Sequence, residues 1–231
     1  MSTPQLTYTG VDVLETLDRA TNYNSLLLDL ILDNSGDCTR MLDFGAGIGT
    51  FAKLLRNRGI DVVCVEPDAL LANGLVGDGF LTLNDLNEVP DGSFDFIFTL
   101  NVLEHIEDDE TSFRRLATKL ARGGRMLIYV PAFECLWTSL DERLKHYRRY
   151  RPRELERLAR SAGLTIWKTR YADSLGFFAT LGFKLFSNKN GDLSARAVNF
   201  YDRYIVPLSR SFDFVFGRLF GKNVYLIASK N

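Results

Sequence analysis

Met41-Leu42-Asp43-Phe44-Gly45-Ala46-Gly47-Ile48-Gly49-Thr50-Phe51-Ala52 is the stretch from which the rest of the chain is read. An apolar run opens it, glycine stands at three alternate positions, and Phe51-Ala52-Lys53-Leu54-Leu55 continues with helical spacing. The pattern is strand, tight turn, helix. Glycines in the turn let the backbone adopt conformations that a Cβ forbids, and they let a ligand lie against bare main chain. The turn also leads to a helix N-terminus, where unpaired N–H groups carry partial positive charge. Asp43 sets a carboxylate beside the same spot. A dinucleotide site calls for Gly-x-Gly-x-x-Gly under a pyrophosphate. Counted from Gly45, that third glycine position holds Thr50. A carboxylate at the strand end repels a pyrophosphate and suits a ligand carrying an ammonium group.

The Leu42–Gly49 segment resembles the first motif of the class I S-adenosylmethionine-dependent methyltransferases. The resemblance implies a Rossmann-like seven-stranded α/β sheet. It also implies that main chain at Gly45, Ala46 and Gly47 holds the methionine half of S-adenosyl-L-methionine, with Asp43 orienting its amino group. The product is then S-adenosyl-L-homocysteine.

The next apolar, β-branched run, Ile60 to Val65, reads as a buried parallel strand after a helix stopped by Gly59. It ends in Glu66-Pro67-Asp68. Glu66 lies 21 positions beyond Gly45, close to the spacing at which an acid binds a ribose in nucleotide-binding βαβ units. A carboxylate can accept from two vicinal hydroxyls at once. Strand-end acids also cap helices, so that reading stays open. Phe80–Leu83 is the third expected strand. By position relative to Ser93-Phe94-Asp95, the resemblance assigns Asp85 and Leu86 to the adenine, with Asp85 as a turn residue or helix cap the alternative. Phe94–Leu100 is the fourth strand. Asn101-Val102-Leu103-Glu104-His105-Ile106 follows, and its Val-Leu-Glu-His-Ile piece strongly resembles the same methyltransferases. Asn101, Val102 and His105 are therefore placed at the cofactor, His105 with the alternative of a structural histidine bonded to the backbone. A helix from Asp108 to about Ala121, a stop at Gly123-Gly124 and a fifth strand Arg125–Pro131 complete a doubly wound rhythm.

The acceptor should be met after that strand, in Ala132 to Arg153. The run Arg143–Arg151 offers guanidinium forks for a carboxylate or phosphate, and His146, Tyr147 and Tyr150 as proton acceptors. A solvated basic face is the plainer reading of most of its arginines. His146 is the residue assigned to proton removal. His-Tyr-Arg-Arg-Tyr at 146–150 resembles a subset of type 11/12-like methyltransferases. Leu164–Thr169 and Asn223–Ala228 are the sixth and seventh strands, the last resembling the antiparallel insertion beside the fifth that marks this family.

At the N-terminus, Val11 to Leu32 reads as one or two helices. The resemblance implies a lid there, with Tyr23 over the cofactor's methionine end and Tyr8 a weaker choice. Between the last two strands, Ala172–Lys222 is rich in aromatics, with Arg196, Arg203 and Arg210 repeating at seven. Two or three helices are expected, interrupted at Asn188–Asp192 and kinked or restarted at Pro207. The segment could line an apolar acceptor pocket, form a homodimer surface, touch a membrane shallowly, or pack as a helical subdomain. The resulting division is a helical cap at 1–40, a methyltransferase domain at 41–171 and 223–231, and an insertion at 172–222.

The bulk numbers agree with this. The 231 residues suffice for one such domain, and 46% hydrophobic with 25% charged residues is ordinary for a globular protein. A net charge of −1 gives no electrostatic case for nucleic acid. Cys38, Cys64 and Cys135 are scattered without metal-ligand spacing, so free thiols in a reducing cytoplasm and no metal are expected. No secretory pattern or membrane-spanning run stands in the sequence. The expected activity is methyl transfer to a small, elongated, partly apolar and anionic acceptor. Rival readings are an aminopropyl transferase, a non-catalytic cofactor-binding module and an NAD-dependent oxidoreductase.

Overall fold

In the computed structural model, which describes residues 10–186 and 194–231, seven strands form one sheet. They are β1 (Met41–Phe44), β2 (Val62–Val65), β3 (Thr82–Leu83), β4 (Phe94–Leu100), β5 (Leu120–Pro131), β6 (Leu164–Ala172) and β7 (Asn223–Lys230). Their order is β3-β2-β1-β4-β5-β7-β6, parallel except for β7, which runs antiparallel to both neighbours. The order reverses between β1 and β4, which opens a crevice at the carboxyl ends of those strands.

The helices are α1 (Val11–Asp18), α2 (Thr21–Ser35), α3 (Thr50–Arg56), α4 (Ala69–Gly77), α5 (Asp109–Lys119), α6 (Ser139–Arg143), α7 (Pro152–Ser161), α8 (Ser174–Phe186), α9 (Ala195–Phe200) and α10 (Val206–Phe216). Strand alternation sends side chains to two faces. Leu42, Ile97, Ile128 and Val130 pack with Phe113, Leu116, Leu155 and Leu158 of α5 and α7. Phe96, Phe98, Leu127 and Tyr129 pack with Leu27, Leu28 and Ile31 of α2 on the other face.

Several expected boundaries shift. β2 starts at Val62, and β3 is only Thr82–Leu83, because Phe80 is drawn into a small core with Ala52, Cys64 and Leu75. α5 ends at Lys119 and β5 already begins at Leu120, so Gly123-Gly124 does not stop a helix. It serves an irregularity in the strand register: Gly123 has φ +75°, and a Cβ on Gly124 would lie 2.9 Å from the Ala121 carbonyl oxygen. β6 runs on to Ala172. Among the described residues three helices lie between β6 and β7, and a π-helical turn, Tyr201–Ile205, joins α9 to α10. Pro207 stands in the first turn of α10, where its missing N–H is tolerated. The break expected at Asn188–Asp192 and the weaker lid residue Tyr8 lie outside the described residues.

Candidate active site

The glycine turn leaves β1 at the mouth of the crevice. Gly45 and Gly49 both have φ +80°, in the left-handed region that glycine adopts without cost. Gly45 also lies against Val102: a Cβ there would sit 2.4 Å from Val102 Cγ2. The turn after β1 and the end of β4 are thereby pressed together, which brings a glycine and an apolar residue 57 positions apart into contact. Gly45 N–H donates to the Val65 carbonyl at 2.8 Å.

Beneath the turn stand two acids. The Glu66 carboxylate accepts from Gly47 N–H at 2.7 Å and from Asp68 N–H at 3.0 Å. It therefore braces the turn from β2, and each oxygen keeps a further lone pair. Asp43 is 3% exposed and its side chain makes no hydrogen bond among the described residues. Burial, then the neighbouring Glu66 charge, pushes its pKa up to about 8. Burial raises Glu66 as well, against the pull of its two backbone N–H donors. Two buried carboxylates in mutual repulsion make a place that favours a cation. Pro67 is exposed on the β2–α4 connection, and Asp68 caps α4 by accepting from Leu70 and Leu71 N–H at 2.9 and 3.0 Å.

Asp85 caps a short 3-10 helix, Leu86–Glu88. It accepts from Asn87 N–H at 2.7 Å and pairs with Arg115 at 3.2 Å, so the capping alternative is realised in the geometry. Leu86 turns its side chain into the core. Asn101 carries a left-handed φ of 55°, and its N–H donates to the Tyr129 carbonyl at 2.7 Å. Asparagine is among the few non-glycine residues that adopt this region readily. The Asn101 Oδ1 accepts from Asn223 Nδ2 at 3.3 Å. Tyr23, on the first turn of α2, brings its hydroxyl to Asn101 and Tyr129, and burial pushes that hydroxyl up to about 12. The Lys222 ammonium lies 5.9 Å from the centre of the Tyr23 ring and 5.1 Å from that of Tyr201, and burial lowers its pKa. Asn22 and Tyr23 N–H both donate to Asp202, at 3.2 and 2.8 Å, so the start of α2 is fastened to the π-helical turn.

A second cluster lies just past β4. His105 Nδ1 bonds the Leu144 carbonyl at 3.0 Å, and burial, with His146 nearby, drives its pKa down to about 4. This is the backbone-bonded histidine that the sequence left open. His146 Nδ1 meets Asp141 Oδ1 at 2.9 Å, and its ring stands edge-on to His105 with centroids 4.5 Å apart. Asp141 in turn binds Arg149 through Nε and Nη2, both at 2.9 Å, and Arg149 is only 8% exposed. Arg149 is thus a buried structural cation, a correction to the solvated basic face. Tyr150 is a donor, not a proton acceptor: its hydroxyl bonds Asp109 at 2.8 Å and burial holds it far above the usual phenol range.

Sequence reasoning gave Glu104, Asp141 and Lys222 no role of their own. Glu104 offered a signal, an acid inside an apolar Val-Leu run. Asp141 gains its meaning from neighbours three to eight positions away that fold around it, Lys222 from Tyr23 and Tyr201, distant in the chain.

Seven strands in this order, with an acid pair under a glycine turn at the reversal point, define a class I S-adenosylmethionine-dependent methyltransferase fold. The chain belongs to the methyltransferase domain family, which it matches over residues 14–169. It is 38% identical over 90 residues to a methyltransferase of Claviceps purpurea, covering 36% of this chain and 28% of that protein. It is 28% identical over 177 residues to an uncharacterized 37.1 kDa transposon protein of Streptomyces fradiae, covering 72% of this chain and 51% of that protein. The chain thus spans about half or less of the curated relatives it matches. A S-adenosylmethionine-dependent methyltransferase from Archaeoglobus fulgidus superposes with a TM-score of 0.64 at 18% identity, covering 94% of this chain and 98% of that one.

Proposed function

We propose that this protein moves the methyl group of S-adenosyl-L-methionine to a small-molecule acceptor. The observation that carries the reading is the buried pair Asp43 and Glu66 under bare main chain, a setting made for a cation with vicinal hydroxyls. The bound cofactor supplies a methyl group already activated by its sulfonium. The chain's task is then to align a nucleophile with it and keep water out. Gly45, Ala46 and Gly47 would carry the methionine half, Asp43 its ammonium and Glu66 the ribose. Pro67 and the free oxygen of Asp85, with the Leu86 N–H, would flank the adenine. Asn101, Val102 and Tyr23 would close over the sulfur. The acceptor would enter between the glycine turn and the helices of 172–222, where Tyr23, Tyr201 and Lys222 offer aromatic surface beside one amine. An elongated, partly apolar, anionic molecule fits that chemistry. The free thiols Cys38, Cys64 and Cys135 suit a reducing cytoplasm.

Calorimetry with S-adenosylmethionine, S-adenosylhomocysteine and NAD tests the cofactor. Binding of NAD alone would overturn the reading. A mass-spectrometric screen for a gain of one methyl group on acceptors separates turnover from aminopropyl transfer and from binding without chemistry.

The acid pair also makes a pH prediction. Asp43 is raised, so between pH ~4 and ~8 the folded chain holds a proton that the unfolded chain lacks, and the empty protein loses stability as pH rises through that window. A bound cation favours the carboxylate and expels that proton. Cofactor affinity should therefore weaken by about tenfold per pH unit below 8. Asp43→Asn should flatten this dependence, raise the melting temperature of the empty protein at pH 8, and weaken the cofactor ~10–100-fold. Proton release is read by calorimetry in two buffers of different ionisation enthalpy; a pH-independent affinity removes Asp43 from the site.

The helices between β6 and β7 expose Phe178, Leu185, Leu208, Phe212, Phe214 and Leu219, with Arg203 and Arg218 on the same segment. Phe214 is 91% exposed. Exposed apolar side chains with arginines on the same segment suit shallow contact with an anionic lipid surface. No helix among the described residues is long and apolar enough to cross a membrane. Flotation with vesicles containing phosphatidylserine should carry the protein, and Phe214→Asp should leave more of it behind. A protein that stays at the bottom with or without anionic lipid, and instead shows a concentration-dependent dimer, assigns the segment to contact with a second copy.

A further inference from the structure

We propose that Glu104, His105 and His146 form a binding site for one divalent transition-metal ion of the zinc type. One ligand atom from each residue lies within 4.8 Å of the other two. In a tetrahedral zinc site, bonds of about 2.0–2.1 Å put ligand atoms roughly 3.3 Å apart, so closure needs only rotamer-scale movement.

Two independent features favour a metal. The first is Glu104. It is fully buried, and neither of its carboxylate oxygens has a hydrogen-bond partner among the described residues. An acid left that way is costly, and a cation is the partner that would resolve both oxygens. The second is the orientation of the two imidazoles. His105 Nδ1 faces a carbonyl oxygen, which can only accept, so Nδ1 carries the proton and Nε2 the lone pair. His146 Nδ1 faces the ionised Asp141, with the same consequence in its neutral form. A carboxylate or backbone carbonyl behind a ligating histidine is the usual outer support of a metal site. That support is itself held: Asp141 accepts from Thr138 N–H at 2.8 Å and from Arg149. Lys145, between Leu144 and His146, has φ +57°, and this strained turn is what delivers both partners to the cluster.

Two nitrogens and one carboxylate oxygen suit zinc, cobalt, nickel or ferrous iron, not magnesium or calcium, which prefer oxygen ligands alone. The sequence showed no metal spacing because the third ligand stands 41 positions after the second. Three protein ligands leave a coordination position for water or for an acceptor heteroatom. A metal-bound hydroxyl or amine loses its proton more readily, which is what a methyl acceptor requires. Only this use of the metal rests on the methyl-transfer reading; the site itself does not.

The test titrates the chelator-treated full chain with Co2+ and follows the visible bands of a four- or five-coordinate site, with S-adenosylmethionine calorimetry on the same samples. One equivalent of Co2+, displaced by Zn2+, is expected in the parent protein. Glu104→Gln and His146→Gln should each weaken it by about 100-fold or more while still binding S-adenosylmethionine. Absence of bands in the parent protein, or bands unchanged in both variants, overturns the proposal. Loss of S-adenosylmethionine binding in the parent protein instead strikes the cofactor reading and leaves the metal result standing.

Discussion

Gly45→Ala is expected to raise the dissociation constant for S-adenosylmethionine by about 100-fold or more. Two costs act at once. An L-residue held at φ +80° costs roughly 1–2 kcal/mol. The new methyl group would also lie 2.4 and 2.9 Å from the two Val102 methyl carbons, so the end of β4 must move or the turn must open. Overpacking of that kind typically costs about 1–3 kcal/mol. The shift falls on Asn101 and Val102, both proposed to close over the cofactor, and the methyl group would cover main chain proposed to carry its methionine half. The double variant Gly45→Ala/Val102→Ala separates the terms. It should recover part of the lost thermal stability, because the clash is gone, without restoring affinity. If calorimetry on the single variant finds binding within twofold of the parent, the ligand does not rest on this turn.

Asp141→Ala should destabilise the fold by about 3–5 kcal/mol, the cost of stranding a buried cation. Its carboxylate serves Thr138 through both N–H and hydroxyl, His146 through Nδ1, and Arg149 through two guanidinium nitrogens. Burial opposes its charge, but these donors hold its pKa well below the ordinary carboxylate range. The sign follows directly: the stabilisation is present above pH ~4, where the unfolded chain is also ionised, and is lost as acid titrates the folded group. Urea denaturation at pH 7 and at pH 3 should show a large gap between parent and variant at the higher pH and a smaller one at the lower. Asp141→Leu/Arg149→Met, which removes both charges, should recover much of the loss. A deficit under 1 kcal/mol in Asp141→Ala would mean that the 132–151 segment is held by its apolar contacts.

What could be read from residues alone followed the range of the interactions. The turn at Gly45–Gly49 and the apolar runs of β1, β2 and β4 are local patterns, and they were legible as such. Glu66 was legible through its spacing, because a βαβ unit fixes how far an acid on the second strand lies from the turn after the first. Gly123-Gly124 misled: the same dipeptide ends helices and permits bulges, and only the pairing of Leu120 with Phe94 shows which applies. The Asp141–His146–Arg149 network was hidden for another reason. His146 and Arg149 read locally as part of a basic stretch, and nothing in that stretch shows that Arg149 is buried, donating to the Ala132 carbonyl at 3.2 Å. His105 likewise finds its carbonyl 39 positions away, at Leu144.

The segment between β6 and β7 leaves the sheet at Ala172 and returns at Asn223, and these two residues are register partners on adjacent strands. Its ends are therefore held at a fixed, short separation whatever lies between them, and lengthening such a loop costs little entropy. This makes the segment transplantable. A different helical roof could be grafted there without disturbing the strand register, provided it supplies acceptors for the first N–H groups of α2, as Asp202 does, and for the Tyr171 and Ala132 N–H groups, as the Gly217 and Lys222 carbonyls do. Acceptor choice could then diversify between lineages while the methyl-donor machinery beneath stays constant.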